Sequence, residues 1–370
     1  MEEYDRIEIQ HICSNICSGG TPKSTVEEYY GGTIPWLNTK EINFNRIYKT
    51  EKTITDEGLN NSSAQWIPAK SVIVAMYGAT AGKTAITQIP LTTNQACCNL
   101  TIDSTKADYR FVFYALCNDY AYLASLANGG AQQNLNAQQI REFEIPYPSI
   151  EEQECIADIL SSLDDKIELN RWINDNLEQQ AQALFNEMFP HITKGENMIG
   201  DLIMPKRGKG LLSKNAIKGD IPVVAGGIEP ATYHNQANTT APVLTIAASG
   251  ANAGYINLWH IPVWASDSSY IDDSITPNVY FWYIMLKKRQ KEIFDAQVGS
   301  AQPHIYPKHI AELPMNVVFV EKIAEYNEIV TPIFEKKGQL FLESKRLTSL
   351  RDTLLPKLMS GELKINDINN

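Results

Sequence analysis

Residues 77–86 read YGATAGKTAI, and Gly78, Gly82, Lys83 and Thr84 are the residue types with which a nucleotide-binding P-loop cradles phosphate. Such a loop needs four residues between its glycines, so that the backbone curls far enough for several N–H groups to face the anion. Ala79, Thr80 and Ala81 supply three. It must also open a helix whose N-terminal dipole helps hold the phosphate, whereas KTAITQIPLTT is β-branched, with Pro90 close behind, and reads as a strand. The second half of the chain carries SGANAGYINLW, with Gly250 and Gly254 in the places of Gly78 and Gly82 and Tyr255 in that of Lys83. What the copies share is strand, G-x-x-x-G turn, strand. The spacing predicts a glycine-bearing hairpin, and a P-loop NTPase stays only as a remote alternative.

Other chemistry is missing. There is no Asp/Asn-Pro-Pro-aromatic loop of an adenine methyltransferase, no G-x-S-x-G elbow and no GxGxxG after a strand. Glu335 and Lys337 form an E-x-K of the kind nucleases use, but they fall on a predicted helix and are expected on its solvated face. The six cysteines form no paired CxxC sets and the six histidines no HExxH, so buried thiols and no metal are expected. His304 and His309 straddle Pro307 and are expected in a loop. No catalytic residue and no cofactor are expected, which points to binding.

The elements that would position a binding site come in duplicate. Residues 129–189 and 299–359 align without a gap at an offset of 170, matching Gly129, Ala131, Gln132, Ile140, Ile159, Lys166, Leu177 and Leu184 with their later counterparts. Ile156, Leu160, Leu163, Ile167, Asn170, Asn174, Leu177, Ala181, Leu184 and Met188 step by fours and threes, the seam of a long coiled-coil-like helix. Tyr326, Val330, Ile333, Lys337, Leu340, Ser344, Leu347, Arg351, Leu354 and Leu358 repeat the stepping. Each stripe needs a partner, and the other copy is the natural one. Polar Asn170, Asn174 and Ser344 would set its register.

Ahead of each helix lies a segment rich in Gly, Pro, Asn, aromatic and β-branched residues. Strand-like SVIVAMY, TAITQI and PVLTIAAS stand beside helix-like YRFVFYALCNDYAYLASLA and NVYFWYIMLKKRQKEIF. The expected fold class is α+β, with two similar lobes, 1–149 and 195–315. Helices at 150–194 and 316–362 and a polar tail at 363–370 complete the chain. Antiparallel pairing would send the lobes to opposite ends of a helix pair about 50 Å long, related by a pseudo-two-fold axis.

The net charge of −11 argues against nucleic acid until its distribution is read. Basic against acidic residues number 11 to 15 over 1–149, 3 to 10 over 150–194, 10 to 10 over 195–315 and 8 to 8 over 316–370. The excess acid sits in the first helix, so a locally positive face on either lobe stays open to DNA. No apolar run approaches the roughly 20 residues that span a bilayer, and MEEYDRIEIQH is not a signal peptide, so a cytoplasmic protein without membrane contact is expected.

Over nearly its full length the chain resembles the specificity subunit of type I restriction-modification systems. The resemblance is carried in order by SGGTPKS, GTIPWLNTKEI, YGATAGKTAI, IPYPSIEEQECIADILSSLDDKIELN and LRDTLLPKLMSGEL. It implies two target-recognition domains, each reading one half of a bipartite, asymmetric site on double-stranded DNA, with the helices as spacer. It also implies docking of two methyltransferase (modification) subunits and of restriction/translocase subunits, which would supply the catalysis. KRGKGLLSKNAIKGDIPVVAGG lacks a full GGTPKS-like opening, and NVVFVEKIAEY has no counterpart of PSIEEQ. A non-catalytic scaffold with degenerate lobes is the competing reading.

Phosphate contacts need cations, and base readout needs Arg, Lys, Asn, Gln, Ser or Thr on exposed loops. In the first lobe these are Lys23, Ser24, Asn38, Lys40, Tyr77, Thr80, Lys83, Gln132, Gln133 and Asn134. In the second they are Lys206, Arg207, Lys209, Lys214, Ser249, Asn252, Tyr255, Gln302 and His304. Trp36 and Tyr114 are expected in the core, and Lys287, Lys288, Arg289 and Lys291 at a solvated helix end. The helix pair should meet through Ile156, Leu160, Leu163, Ile167, Asn170, Leu177, Leu184, Ile333, Leu340, Leu347 and Leu354.

Overall fold

The four-three stepping is realised as two long helices, Ile150–Met188 and Val320–Met359, in the computed structural model, which describes residues 4–127, 134–299 and 302–364. The first stops short of residue 194 because Phe189 precedes Pro190, and a residue before proline is pushed out of the α region. The second runs through Pro332, which removes one backbone hydrogen bond, while buried Val330 and Phe334 anchor the turns on either side. The chain divides into two units, Met1–Ile167 with Arg346–Asn370, and Glu168–Lys345. Both boundaries fall inside a long helix.

In the first unit the strands are β1 (Arg6–Glu8), β2 (Cys13–Ser18), β3 (Tyr30–Leu37), β4 (Asn45–Ile47), β5 (Lys52–Ile54), β6 (Val72–Ala75), β7 (Thr84–Thr87), β8 (Thr92–Thr93), β9 (Cys97–Ile102) and β10 (Glu144–Pro146). The main sheet has the order β2-β9-β6-β7-β4, a smaller one β5-β3-β8, and β1 pairs with β10. Strand β6, with sequence VIVA, is buried along its whole length because neighbours flank it and the helix Tyr109–Asn118 helps to cover the sheet. That helix starts at Asp108, whose carboxylate accepts from the backbone N–H of Arg110 at 2.7 Å. It brings Phe111, Val112 and Tyr114 into the core, each apolar side chain contributing roughly 2 kcal/mol by burial.

The second unit has β11 (Asn197–Met198), β12 (Lys206–Arg207), β13 (Ile221–Val224), β14 (Thr232–His234), β15 (Val243–Ala247), β16 (Ile256–Trp259), β17 (Trp264–Ala265), β18 (Ser268–Ile271) and β19 (Pro314–Met315). Its sheets, β12-β18-β15-β16, β14-β13-β17 and β11-β19, repeat the first unit's order, without a counterpart of β4 among the described residues. Even the parallel pairings recur, β3 with β8 and β13 with β17. The helices Tyr109–Asn118, Tyr120–Ser125 and Ala137–Arg141 reappear 170 residues later as Val279–Lys288, Gln290–Asp295 and Pro307–Ala311. His309 therefore lies in a helix that begins at Pro307, not in a loop, because proline is well suited to a first helical position.

Within each unit the long-helix segments run antiparallel. In the first, Asp164 pairs with Arg351 at 2.7 Å, and Ile156 and Leu160 share a core with Leu358 and Met359. In the second, Asn170 Nδ2 donates to Glu343 at 2.9 Å and to Ser344 at 3.3 Å, Lys337 pairs with Glu178, and Tyr326 donates to the Ala181 carbonyl at 2.9 Å. Of the expected interface residues, Ile156, Leu160, Asn170 and Leu340 are buried. Leu163, Ile167, Leu177, Leu184, Ile333, Leu347 and Leu354 are partly buried. Lys337 is 9% exposed rather than on a solvated face, because it occupies a seam position where Glu178 balances its charge.

Candidate nucleic-acid interface

The stretch 77–86 is a hairpin. Strand β6 pairs antiparallel with β7, Val72 against Ile86 through Val74 against Thr84, and Gly78–Thr80 makes a single 3-10 turn between them. Ala81, Gly82 and Lys83 donate their N–H groups to the carbonyls of Gly78, Ala75 and Thr80, so these three amides are taken up within the turn and are not free for a phosphate. The second unit repeats each bond, Ala253 to Gly250, Gly254 to Ala247 and Tyr255 to Asn252. Gly78 and Gly250 have φ of 70° and 81°, with nothing within 4 Å of a would-be Cβ, so backbone conformation alone favours glycine there.

Each hairpin tip is bridged to the segment that leads into the lobe's third helix, Ala137–Arg141 or Pro307–Ala311. Tyr77 pairs with Asn134 and Ser249 with His304, so the structure brings four candidates together, two in each unit. Thr80 donates to the Tyr77 carbonyl at 3.2 Å, and Lys83 Nζ reaches Asn43 Oδ1 at 2.7 Å. Tyr255 lies under Lys287 Nζ at 4.8 Å, and the His304 ring stacks on Tyr306 at 5.9 Å. Asn252 is partly buried and Gln302 exposed. Gln132 and Gln133 lie outside the described residues.

Lys23 and Ser24 are exposed between β2 and β3. Gly19 and Gly20 donate to the carbonyls of Cys97 and Thr93, and Gly208 and Lys209 donate to those of Ser268 and Ala265. RGKG is therefore the structural counterpart of SGGT, an equivalence hidden because Lys209 replaces a glycine. The Trp36 indole donates to the Gly20 carbonyl at 2.9 Å, and the Trp264 indole, from a strand in a different part of its lobe, donates to the Lys209 carbonyl at 2.8 Å. Both fix the opening loop by the same bond.

Several candidate cations already have partners. Lys40 pairs with Glu51, Lys206 donates to Ser274 at 3.0 Å, and Arg207 pairs with Asp267 at 2.6 Å. Asn38 is engaged as the cap of the turn Thr39–Glu41, and Lys214 is exposed. Asp267 was not anticipated from sequence; a lone acid just before the serine-rich strand β18 carries no recognisable spacing. Arg289, expected at a solvated end, is buried, pairs with Glu292 at 2.5 Å and donates to the Pro314 carbonyl at 2.5 Å. Trp36 and Tyr114 lie in the core.

Burial lifts the thiols of Cys13 and Cys98 to about 12, which makes them poor nucleophiles, while Cys155 is exposed, against expectation, on the outer face of its helix. No cluster of metal-ligating side chains occurs among the described residues, and none of their helices is long and apolar enough to cross a membrane.

Residues 1–179 match the model of a family described as the type I restriction modification DNA specificity domain. The chain is 27% identical to the type I restriction enzyme MjaIX specificity subunit of Methanocaldococcus jannaschii, over 99% of this chain and 95% of that protein. It is 28% identical to a putative type I specificity subunit of Mycoplasma pneumoniae, over 78% and 83%. In fold it is similar to the crystal structure of a type I restriction-modification S subunit from M. genitalium, with a TM-score of 0.63 at 22% identity, covering 96% of each chain.

Proposed function

Because residues 1–179 match the type I restriction modification DNA specificity domain family and the chain resembles specificity subunits along its length, we propose that it is the non-catalytic subunit that chooses the DNA site. Residues 1–149 and 195–315 act as target-recognition domains, one for each half of a bipartite, asymmetric sequence. Residues 150–194 and 316–362 act as the spacer that sets the unread gap. The readers are Lys23, Ser24, Asn38, Lys40, Tyr77, Thr80, Lys83 and Asn134 in one lobe. In the other they are Lys206, Arg207, Lys209, Lys214, Ser249, Asn252, Tyr255, Gln302 and His304. Two methyltransferase subunits and the restriction subunits dock on it and bring the chemistry, in the cytoplasm where the DNA is.

One observation carries this reading. The two units repeat one strand order while their equivalent turns hold different side chains, which is what two readers of different sequences require. The rival reading, a scaffold with degenerate lobes, draws on the pairing of Lys40 and Arg207 with carboxylates, which lowers the charge left for phosphate. The test is to express the chain with its methyltransferase subunit in a methylation-free host and map N6-methyladenine by single-molecule sequencing. A bipartite motif with a fixed gap, changed in one half only when residues 1–149 are exchanged, supports the specificity role. A stable complex that methylates no defined motif leaves the scaffold.

A further inference from the structure

We propose that Arg207 is a guanine reader, that Asp267 is its positioning residue, and that the half-site read by the second lobe therefore contains a guanine where the first lobe's half-site makes no equivalent demand. This rests on the specificity reading above and adds the chemistry of one base contact to it.

Arg207 lies on β12, the edge of the second unit's main sheet, and Asp267 directly precedes β18, with which β12 pairs. Both side chains are about 40% open to solvent, and their ion pair measures 2.6 Å. The other carboxylate oxygen of Asp267 accepts from Ser249 Oγ, at the root of the hairpin tip. Ser249 is in turn bridged to His304. One short network thus ties the edge strand to the hairpin and to the segment ahead of the helix Pro307–Ala311, three places where readers were expected independently.

An arginine with one amino group pinned by a carboxylate has lost most of the rotamer freedom that a free side chain gives up on binding. Its planar fork still has N–H donors to spare, and a guanine's O6 and N7 are the acceptor pair that such a fork matches in the major groove. Asp267 alone would be repelled by phosphate; paired, it is neutralised, and its remaining acceptor capacity is used by Ser249.

The first unit fills the same three places without a charge. The bond from Met76 N to the Ala96 carbonyl corresponds to that from Ala248 N to the Asp267 carbonyl, so Ala96 stands where Asp267 does. By the same correspondence of strands and turns Ser18 stands for Arg207 and Tyr77 for Ser249. An exposed tyrosine and two small residues cannot make a bidentate contact to guanine.

The experiment maps N6-methyladenine for the full chain with its methyltransferase subunit, comparing the wild type with Asp267→Ala and Arg207→Ala. The wild type is expected to require guanine at one position of the second lobe's half-site, identified as the half left unchanged when residues 1–149 are exchanged. Asp267→Ala is expected to relax that position by about tenfold, with every other position retained. Arg207→Ala exposes the carboxylate and is expected to shift the preference there toward cytosine, whose N4 amine can donate to it. A merely structural role for Asp267 would instead lower methylation at all sites without altering the motif, and that outcome overturns the proposal. So does a wild-type half-site without guanine. Absence of any bipartite motif in the wild type, by contrast, removes the specificity reading itself and this inference with it.

Discussion

Each lobe is fastened to its long helices by a tyrosine, a carboxylate and a cation, yet the two fastenings sit at positions that the repeat does not relate. In the first unit Tyr114 donates to Asp164 at 2.6 Å, and Asp164 pairs with Arg351. In the second Tyr283 donates to Glu178 at 2.9 Å, and Glu178 pairs with Lys337. The offset of 170 equates Asp164 and Arg351 with Phe334 and Ala181, and Glu178 and Lys337 with Thr348 and Ile167. Where the first lobe places the Asp164–Arg351 pair, the second therefore packs the apolar Phe334 and Ala181 in its core. The same sheets occur twice, while the polar contacts differ so that each lobe matches its own stretch of helix. Buried polar groups fix register by penalising wrong partners more than by adding stability.

The comparison is broken most severely by removing a cation. Lys337→Met leaves Glu178 low in exposure and unpaired, and is expected to cost about 3 kcal/mol in chemical denaturation, with the loss confined to probes in the second unit. Arg351→Ala acts on the more open pair of the first unit and is expected to cost about 2 kcal/mol, read by probes there. Combining it with Asp164→Phe, which copies the apolar solution of the other lobe, should cost less than the two single changes together. A double-mutant cycle that comes out additive would show that the pair does not act as a unit.

A smaller effect distinguishes the lobes by pH. Burial holds the His260 imidazole down to about 4, with the charge of Lys337 adding to it, below the ordinary 6.5. As pH falls through 6.5 the unfolded chain takes up that proton before the folded one does, so the second unit loses stability down to about pH 4. The expected loss is on the order of 1–2 kcal/mol, and His260→Gln should flatten that part of the stability profile. Smallest in stability is Asn170→Leu. The carbonyl oxygen of Asn170 is buried without a partner, and its removal offsets the loss of the bonds that the amide donates to Glu343 and Ser344, so the change is expected to stay within about 1 kcal/mol of neutral. Its signature is mixed oligomers in light scattering, since an apolar seam tolerates other pairings.

Much of this architecture was legible because period is a local signal. The strand VIVA, the seam from Ile156 to Met188 and the G-x-x-x-G tips are each written within a few turns or strands of chain. The repeat then tested the P-loop resemblance by replacing Lys83 with Tyr255. What stayed hidden depends on distance. Nothing near Lys337 announces Glu178, and nothing near Arg207 announces Asp267, because the partner lies far along the chain. A charge on an otherwise apolar seam was the available clue: Lys337 and Arg351 each require an acid on the facing helix, and antiparallel pairing would have pointed to Glu178 and Asp164. The RGKG turn was legible only in part, as an incomplete GGTPKS-like opening, because a lysine occupies a place where the first lobe needs glycine.

Since the unit boundaries fall inside the helices, the first lobe's core is finished by residues made long after the rest of it. Ile156 and Leu160 share a core with Leu358 and Met359, about 200 residues further along the chain. During synthesis at roughly 5–20 residues per second, that apolar surface stays open for some ten seconds or more while the second lobe emerges. Translation order thus sets an interval in which the early lobe depends on chaperones or on its own marginal stability.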